Sequence, residues 1–239
     1  MIKEIVLNGK TIKYDFQRKN VKNINLRIKA DRTVFLSANH SVSEQVIEEF
    51  IVSKSEYILK ALAHYEDLAK YAPKPKQYVD GETFKIFGHD RRLKVLPGNN
   101  NRVESDESFV ILTVKDVDDL DLKKKTMEKW LNDLCKQTIN EICCSTYPRF
   151  QKYGIDFPIV RFRNMVSRWG SCQPKRCVLT FNYALVEAPI SCIEYVVMHE
   201  FCHFLQPNHS RKFYQLLAMF MPDWKERKRI LERTSSFAE

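Results

Sequence analysis

Glycine is scarce: there are six in 239 residues. None sits in the glycine-rich loop that cradles phosphates ahead of a helix, which argues against a P-loop or dinucleotide-binding architecture. No apolar run approaches the ~20 residues of a membrane-spanning helix, so no membrane partner is expected. Met1–Asn8 carries charges where an export signal needs an apolar stretch, and the expected location is cytoplasmic. Seven cysteines, an odd number, are scattered without a C-x-x-C pair. That excludes a disulfide framework and fits reduced thiols. Cys172 and Cys177 flank a Gln-Pro-Lys-Arg turn. Without a second pair nearby they read as buried free thiols rather than metal ligands. Internal repeats and low-complexity stretches are absent as well.

What the chain does have is concentrated in eleven residues, His199-Glu200-Phe201-Cys202-His203-Phe204-Leu205-Gln206-Pro207-Asn208-His209, which hold three of its six histidines. In H-E-x-x-H on a helix, the histidines are four apart and share one face, so His199 and His203 can present two imidazoles to one ion. Glu200, one residue on, can hold a water beside that ion. A zinc hydrolase needs this arrangement. Cys202 lies about one hundred degrees round from His203 and faces elsewhere.

Local signals support the helix. Ser191 and Glu194 read as a capping box ahead of an apolar run, with Ile193, Val196, Val197, Phe201, Phe204 and Leu205 on a helical period. Pro207 lacks an amide hydrogen and clashes with the carbonyl four residues back, which predicts a helix end near Leu205. The reversal at Gln206–Asn208 then lets His209 swing back as third ligand, leaving one tetrahedral position open, as catalytic zinc requires. Asp223 and Glu226 are its rivals for that place.

The blocks Arg168-Trp169-Gly170-Ser171-Cys172, Leu179-Thr180-Phe181-Asn182 with Leu185, Pro189, Tyr195–Glu200, Asn208-His209-Ser210 with Phe213, and Pro222-Asp223 together resemble the YgjP-like metallopeptidase domain, a family related to the SprT-like and WLM zinc proteases. The resemblance is dense over about residues 145–235 and fainter over 1–115. It implies a zincin fold, zinc on His199, His203 and His209, and Glu200 as general base. Tyr214 departs from the Trp that commonly follows the Phe in this family.

The remaining chain reads as α+β: a zincin-like catalytic domain over 116–239 behind an N-terminal β-rich domain, 1–115, that contains one long helix. Strands are expected at Lys3–Leu7, Thr11–Phe16, Ile24–Ile28 and Thr33–Ser37. A helix capped at Ser41–Glu44 should run to about Tyr71, where Pro73 and Pro75 stop it. Further strands are expected at Thr83–Phe87, Leu93–Leu96 and Phe109–Val114, then a second long helix from Asp116–Asp121 to near Pro148. Ile159–Arg163 and a Trp169–Asn182 hairpin precede the motif. Val178–Asn182 is expected to be an open edge onto which an extended peptide can pair, and Gly170 to permit a close backbone approach. Trp169 reads as core.

The expected activity is zinc-dependent hydrolysis of a peptide or protein. Glu200 takes a proton from the activated water, and Arg168, Asn182 or Tyr214 contributes a donor to the developing oxyanion. Other divalent ions suit histidine ligands too. The formal charge of +9 attracts anions, so nucleotide or nucleic acid stays open as a partner. Two further functions follow: a metal-dependent nucleotide phosphohydrolase and a nucleic-acid-associated protease. The basic cluster Lys225–Arg229 reads by default as a solvated helix face opened by an Asp223–Glu226 capping box.

Overall fold

Asn8 and Gly9 both adopt positive φ, 48° and 79°. That is the backbone a two-residue hairpin turn requires, and β1 (Ile2–Leu7) folds back through it onto β2 (Lys10–Arg18). β3 (Asn25–Ile28) and β4 (Val34–Ala38) complete a sheet of order β1-β2-β4-β3, with β2 and β4 parallel. Along β4 buried Val34, Leu36 and Ala38 alternate with half-exposed Phe35 and Ser37, the period-two pattern of a sheet with one face packed. α1 (Glu44–Ser53) and α2 (Ser55–Lys70) supply Ile47, Ile51 and Ile58 to that face. The computed structural model describes residues 1–29, 31–70 and 75–234, so the expected helix end at Tyr71–Pro73 lies outside the described residues. The single long helix is corrected to two. The chain leaves helical geometry at Lys54 (φ −102°, ψ 10°), whose amide turns back to the carbonyls of Phe50 and Ile51. Val46 of α1 is exposed.

A second sheet repeats the first. β5 (Thr83–Ile86) and β6 (His89–Pro97) form a hairpin through Phe87 and Gly88, again at positive φ (51° and 85°). β7 (Arg102–Ser105), which the sequence hid in a polar Asn-rich stretch, and β8 (Phe109–Val114) give the order β5-β6-β8-β7. β6 and β8 are parallel and both other pairings antiparallel, as in the first sheet. The module is duplicated in topology although no repeat is visible in the sequence.

α3 (Leu120–Thr146), capped by the Asp119 carboxylate on the Leu122 amide at 2.9 Å, follows as expected. Pro148 opens a short helix, α4 (Pro148–Gln151). β9 (Ile159–Arg163), β10 (Gly170–Gln173) and β11 (Val178–Asn182) form a three-stranded sheet of order β10-β11-β9. α5 (Ile190–Cys202), α6 (Arg211–Phe220) and α7 (Trp224–Thr234) pack with it around Ile139, Cys143, Phe150, Leu179, Phe181, Phe201 and Phe213. No helix among the described residues is long and apolar enough to cross a membrane.

Two expectations fail here. The compact units are Met1–Pro75 and Lys76–Glu239, not 1–115 and 116–239. Met127 of α3 shares a core with Phe84, Ile86, Leu93, Val110 and Leu112, and the Phe87 and Gly88 amides donate to the carbonyls of Val186 and Glu187 at 2.8 and 3.1 Å. The second sheet therefore belongs with α3 and the segment leading into α5. β11 is also no edge. It pairs with β10 on one side and β9 on the other, and all five of its residues are buried. The edge facing the motif helix is β10.

Candidate metal centre

α5 begins without its expected cap. Pro189 occupies the N-cap position and contributes no side-chain hydrogen bond. Ser191 lies within the first turn, and Glu194 forms an ion pair with Arg227 of α7, so the Ser191–Glu194 capping box does not form. The helix is held by tertiary burial: Cys192, Ile193, Tyr195, Val196, Val197, Met198, Phe201 and Cys202 are all buried, on nearly every side. A helix apolar all round is a core helix, and that dryness governs the chemistry of its two motif residues.

The regular helix ends at Cys202, earlier than Leu205. The last turn tightens, and the amides of His203, Phe204 and Leu205 donate to carbonyls three residues back, as terminal turns commonly do. Pro207 accounts for the stop. The released carbonyl of Gln206 lies 3.1 Å from His203 Nδ1. A proton on Nδ1 donated there leaves the Nε2 lone pair for a metal, the usual way an outer hydrogen bond fixes a ligand's tautomer. Ser210 then caps α6, its hydroxyl accepting from the Phe213 amide at 3.4 Å, and this holds the His209 turn against the helix.

The three histidines converge. His199 Nε2 and His209 Nε2 are 2.8 Å apart, and one ring nitrogen from each of His199, His203 and His209 lies within 4.8 Å of the others. Among the described residues this is the one such group of metal-ligating side chains. Phe213 lies against all three rings, with centroids 4.9, 4.6 and 4.9 Å away. Sequence reasoning gave this residue no role. Its signal is the spacing of four from His209, which puts it on the α6 face turned to α5. Burial pushes His199 down to about 3, with His203 and His209 adding repulsion, and His203 is lowered mainly by burial too. Neutral imidazoles with lone pairs turned to one point are the form that ligates a cation. The donor set fits zinc and, equally by type, other divalent ions.

Asp223 and Glu226 are engaged elsewhere. Asp223 takes Arg227 at 2.8 Å and Glu226 faces Arg229 at 3.8 Å. These pairs, with Lys228–Glu232 at 3.3 Å, make the C-terminal basic cluster a locally compensated helix face.

Glu200 is 6 % exposed. Burial pushes its carboxyl up to about 8, against a smaller opposing pull from Arg168. Directly across lies Gly170, where an added Cβ would come within 2.7 Å of Glu200 Oε1 and 2.9 Å of its Cγ. The φ there is ordinary, so space alone demands glycine. Gly170→Ala is expected to displace the carboxylate and lower kcat about 10²-fold, the scale of an ångström's misplacement, with the affinity for a divalent metal little changed. Parallel kinetics and zinc titration check this, and an unchanged kcat refutes it.

The cleft, about 580 Å³, is lined by Arg168, Trp169, Gly170, Ser171, Cys172, His199, Glu200, His203 and His209 among others. Arg168 is exposed on its rim. Trp169 is half-buried against the core and also faces the cleft. Cys172, unforeseen at the site, has its thiol pushed up to about 12, by burial first and then by Glu200, so it is no nucleophile. Tyr214 stacks on Trp224 (5.1 Å) with its ring 6.2 Å from His209. Asn182 is not in the cleft. It is 2 % exposed, and its amide donates to the carbonyls of Met165 and Arg168 at 2.8 and 3.0 Å while its oxygen accepts from Met165 and Ala184. As a buried amide it is fully used in shaping the 165–168 loop, which corrects its expected role as an oxyanion donor.

Among curated proteins none matches the chain. Two solved structures are similar over part of it: the metallopeptidase zymogen of Pyrococcus abyssi abylysin, 19% identical, TM-score 0.34, covering 40% of this chain and 90% of that one, and the metallopeptidase zymogen of Methanocaldococcus jannaschii jannalysin, 22% identical, TM-score 0.33, covering 42% and 97%. Likenesses this distant carry no argument about the site. Residues 22–234, by contrast, match the family model described as YgjP-like, metallopeptidase domain, a span that takes in the histidine cluster, Glu200 and Gly170, and the chain belongs to that family.

Proposed function

We propose that this metallopeptidase is zinc-dependent, with His199, His203 and His209 as ligands and Glu200 as general base. One observation carries the reading: three imidazoles converge on one point beside a buried carboxylate, at the floor of a cleft open to solvent. Zinc bound there acidifies water and polarises a carbonyl.

The rest of the chemistry is the chain's own. Burial raises the Glu200 carboxyl to about 8 in the metal-free chain, which makes its carboxylate a stronger base than an ordinary glutamate. Glu200 therefore takes the water's proton and can return it to the departing amine. Arg168 is the cation at the rim, suited to a developing oxyanion or a substrate carboxylate. β10 offers an unpaired backbone edge beside Glu200, so an extended peptide can add to it by main-chain hydrogen bonds and bring its carbonyl to the histidines. Tyr214, half-buried behind His209, supports the third ligand's ring.

The test is a screen of the zinc-loaded chain against a proteome-derived peptide library and, in parallel, nucleoside triphosphates. Peptide cleavage is expected, lost on chelation and restored by zinc. Release of phosphate or diphosphate with every peptide left intact would move the activity to nucleotide hydrolysis.

A further inference from the structure

Charge divides the first unit. Residues 1–38, which hold all four strands of its sheet, carry nine Lys and Arg against three Asp and Glu; residues 39–70, which hold its helices, carry three against six. The inner face of the sheet is taken by α1 and α2. Its outer face is open across β2, β4 and β3. One cross-strand row there is Gln17–Ser37–Asn25, and the next is Asp15–Phe35–Arg27, in which the Asp15 carboxylate accepts from the amino terminus and the Gln17 amide, both at 3.0 Å. Asp15 aside, these residues line a concavity of about 590 Å³ with Lys19 and Lys29, and the Lys29 ammonium lies 4.2 Å from the Phe35 ring centroid. Among the described residues no carboxylate forms an ion pair with Lys19, Arg27 or Lys29.

The duplicated module supplies an internal comparison. Counting from the left-handed hairpin turns, Tyr14 corresponds to Leu93. Through the registers Tyr14↔Val34 and Leu93↔Val110, Phe35 then corresponds to Ile111 and Arg27 to Glu104. The strands of the second module, 83–114, carry five Lys and Arg against four Asp and Glu. The shared topology therefore does not fix the residues at these positions. The second module has its own ring and cation, Phe109 with the Lys94 ammonium 3.6 Å from its centroid, but not the first module's excess of cations.

We propose that this outer face binds single-stranded nucleic acid, with phosphates on Lys19, Arg27 and Lys29 and a base stacked on Phe35. A cationic track next to a sheet-borne aromatic ring is what single strands use. The amides of Gln17 and Asn25 and the Ser37 hydroxyl supply donors and acceptors for base edges. An acidic peptide would need the cations but has no use for the ring, and duplex DNA offers no free base to stack. The Lys29 ammonium moves from the ring to a phosphate when a base arrives.

Fluorescence anisotropy of the full chain with labelled oligo-dT and oligo-U 20-mers, from 25 to 200 mM salt, tests this. Binding is expected at about 10⁻⁴–10⁻⁶ M near physiological salt, tightening as salt falls. Phe35→Leu should weaken it about 5- to 150-fold without altering the salt slope. Phe35→Trp should retain or tighten it, which keeps the test decisive if the Leu variant folds poorly. Arg27→Gln and Lys29→Gln should each lower the slope of log K against log salt by about 0.7, and Lys60→Gln on α2 should leave it unchanged. The proposal is overturned by no binding at the lowest salt, by indifference to Phe35→Leu, or by poly-glutamate binding as tightly as the oligonucleotides.

Discussion

Glu200→Gln is expected to lower turnover by about 10²–10⁴-fold, the usual contribution of a general base, with zinc stoichiometry intact because the carboxylate is not among the converging ligand atoms. The same substitution should make the metal-free protein more stable. Folding raises the Glu200 pKa to about 8, so its contribution is fully present below the unfolded value near 4.5 and is lost as pH rises through 8. His199 acts in the opposite sense. Its folded value, about 3, lies below the unfolded 6.5, so its contribution is present above 6.5 and lost as pH falls through 3. Between pH 6.5 and 8 the Glu200 slope therefore stands apart from that of His199. Denaturation of the metal-free proteins across that window should show wild type losing stability with rising pH and the Gln variant nearly level. By pH 8 the variant should lead by about 2–4 kcal/mol. Parallel slopes would mean that Glu200 ionises as freely folded as unfolded, and wild-type turnover in a zinc-loaded Gln variant would remove it from the chemistry.

The second large effect is on the metal. His209→Ala should weaken zinc binding by at least 100-fold, more than the 10- to 100-fold that loss of an outer hydrogen bond costs a metal site. His209 Nε2 lies 2.8 Å from His199 Nε2, and without it two imidazoles remain. His209 is exposed and the cap at Ser210 does not depend on its ring, so the metal-free fold should melt within a few degrees of wild type. Competition with a chromophoric chelator measures the affinity. Asp223→Asn and Glu226→Gln serve as comparisons and should change it little, since both carboxylates are committed to arginines of α7. Unchanged affinity in His209→Ala, or a large loss in either comparison, would shift the third ligand away from His209.

The sequence was most legible where local physics decides. The H-E-x-x-H spacing puts His199 and His203 on one face whatever surrounds them, and Pro207 must end the helix because it lacks the amide hydrogen. Asn8-Gly9 has few backbones other than a hairpin turn. Gly170 could be flagged for a close approach, though only the packed structure shows that the group approaching is the Glu200 carboxylate. Legibility failed where distant segments compete for the same groups. Ser191 and Glu194 have the spacing of a cap, yet Arg227, far along the chain, takes Glu194. Asn182 has the chemistry of an oxyanion donor, but burial in a strand paired on both sides leaves its amide no route to the cleft. Nothing local in Val178–Asn182 tells an edge strand from a central one, and strand order made it central.

By itself, then, the chain determined the kind of centre it builds: two imidazoles one helical turn apart, a carboxylate next to them and a forced reversal that brings up a third ring. These follow from helix period and proline stereochemistry over eleven residues. Tertiary structure alone decided the rest. It assigned the second sheet to the catalytic unit, made β10 the edge beside the site, and gathered Lys19, Arg27, Lys29 and Phe35 around one concavity of the first sheet. Sheet order and burial depend on contacts between residues far apart in sequence, and no local pattern encodes them.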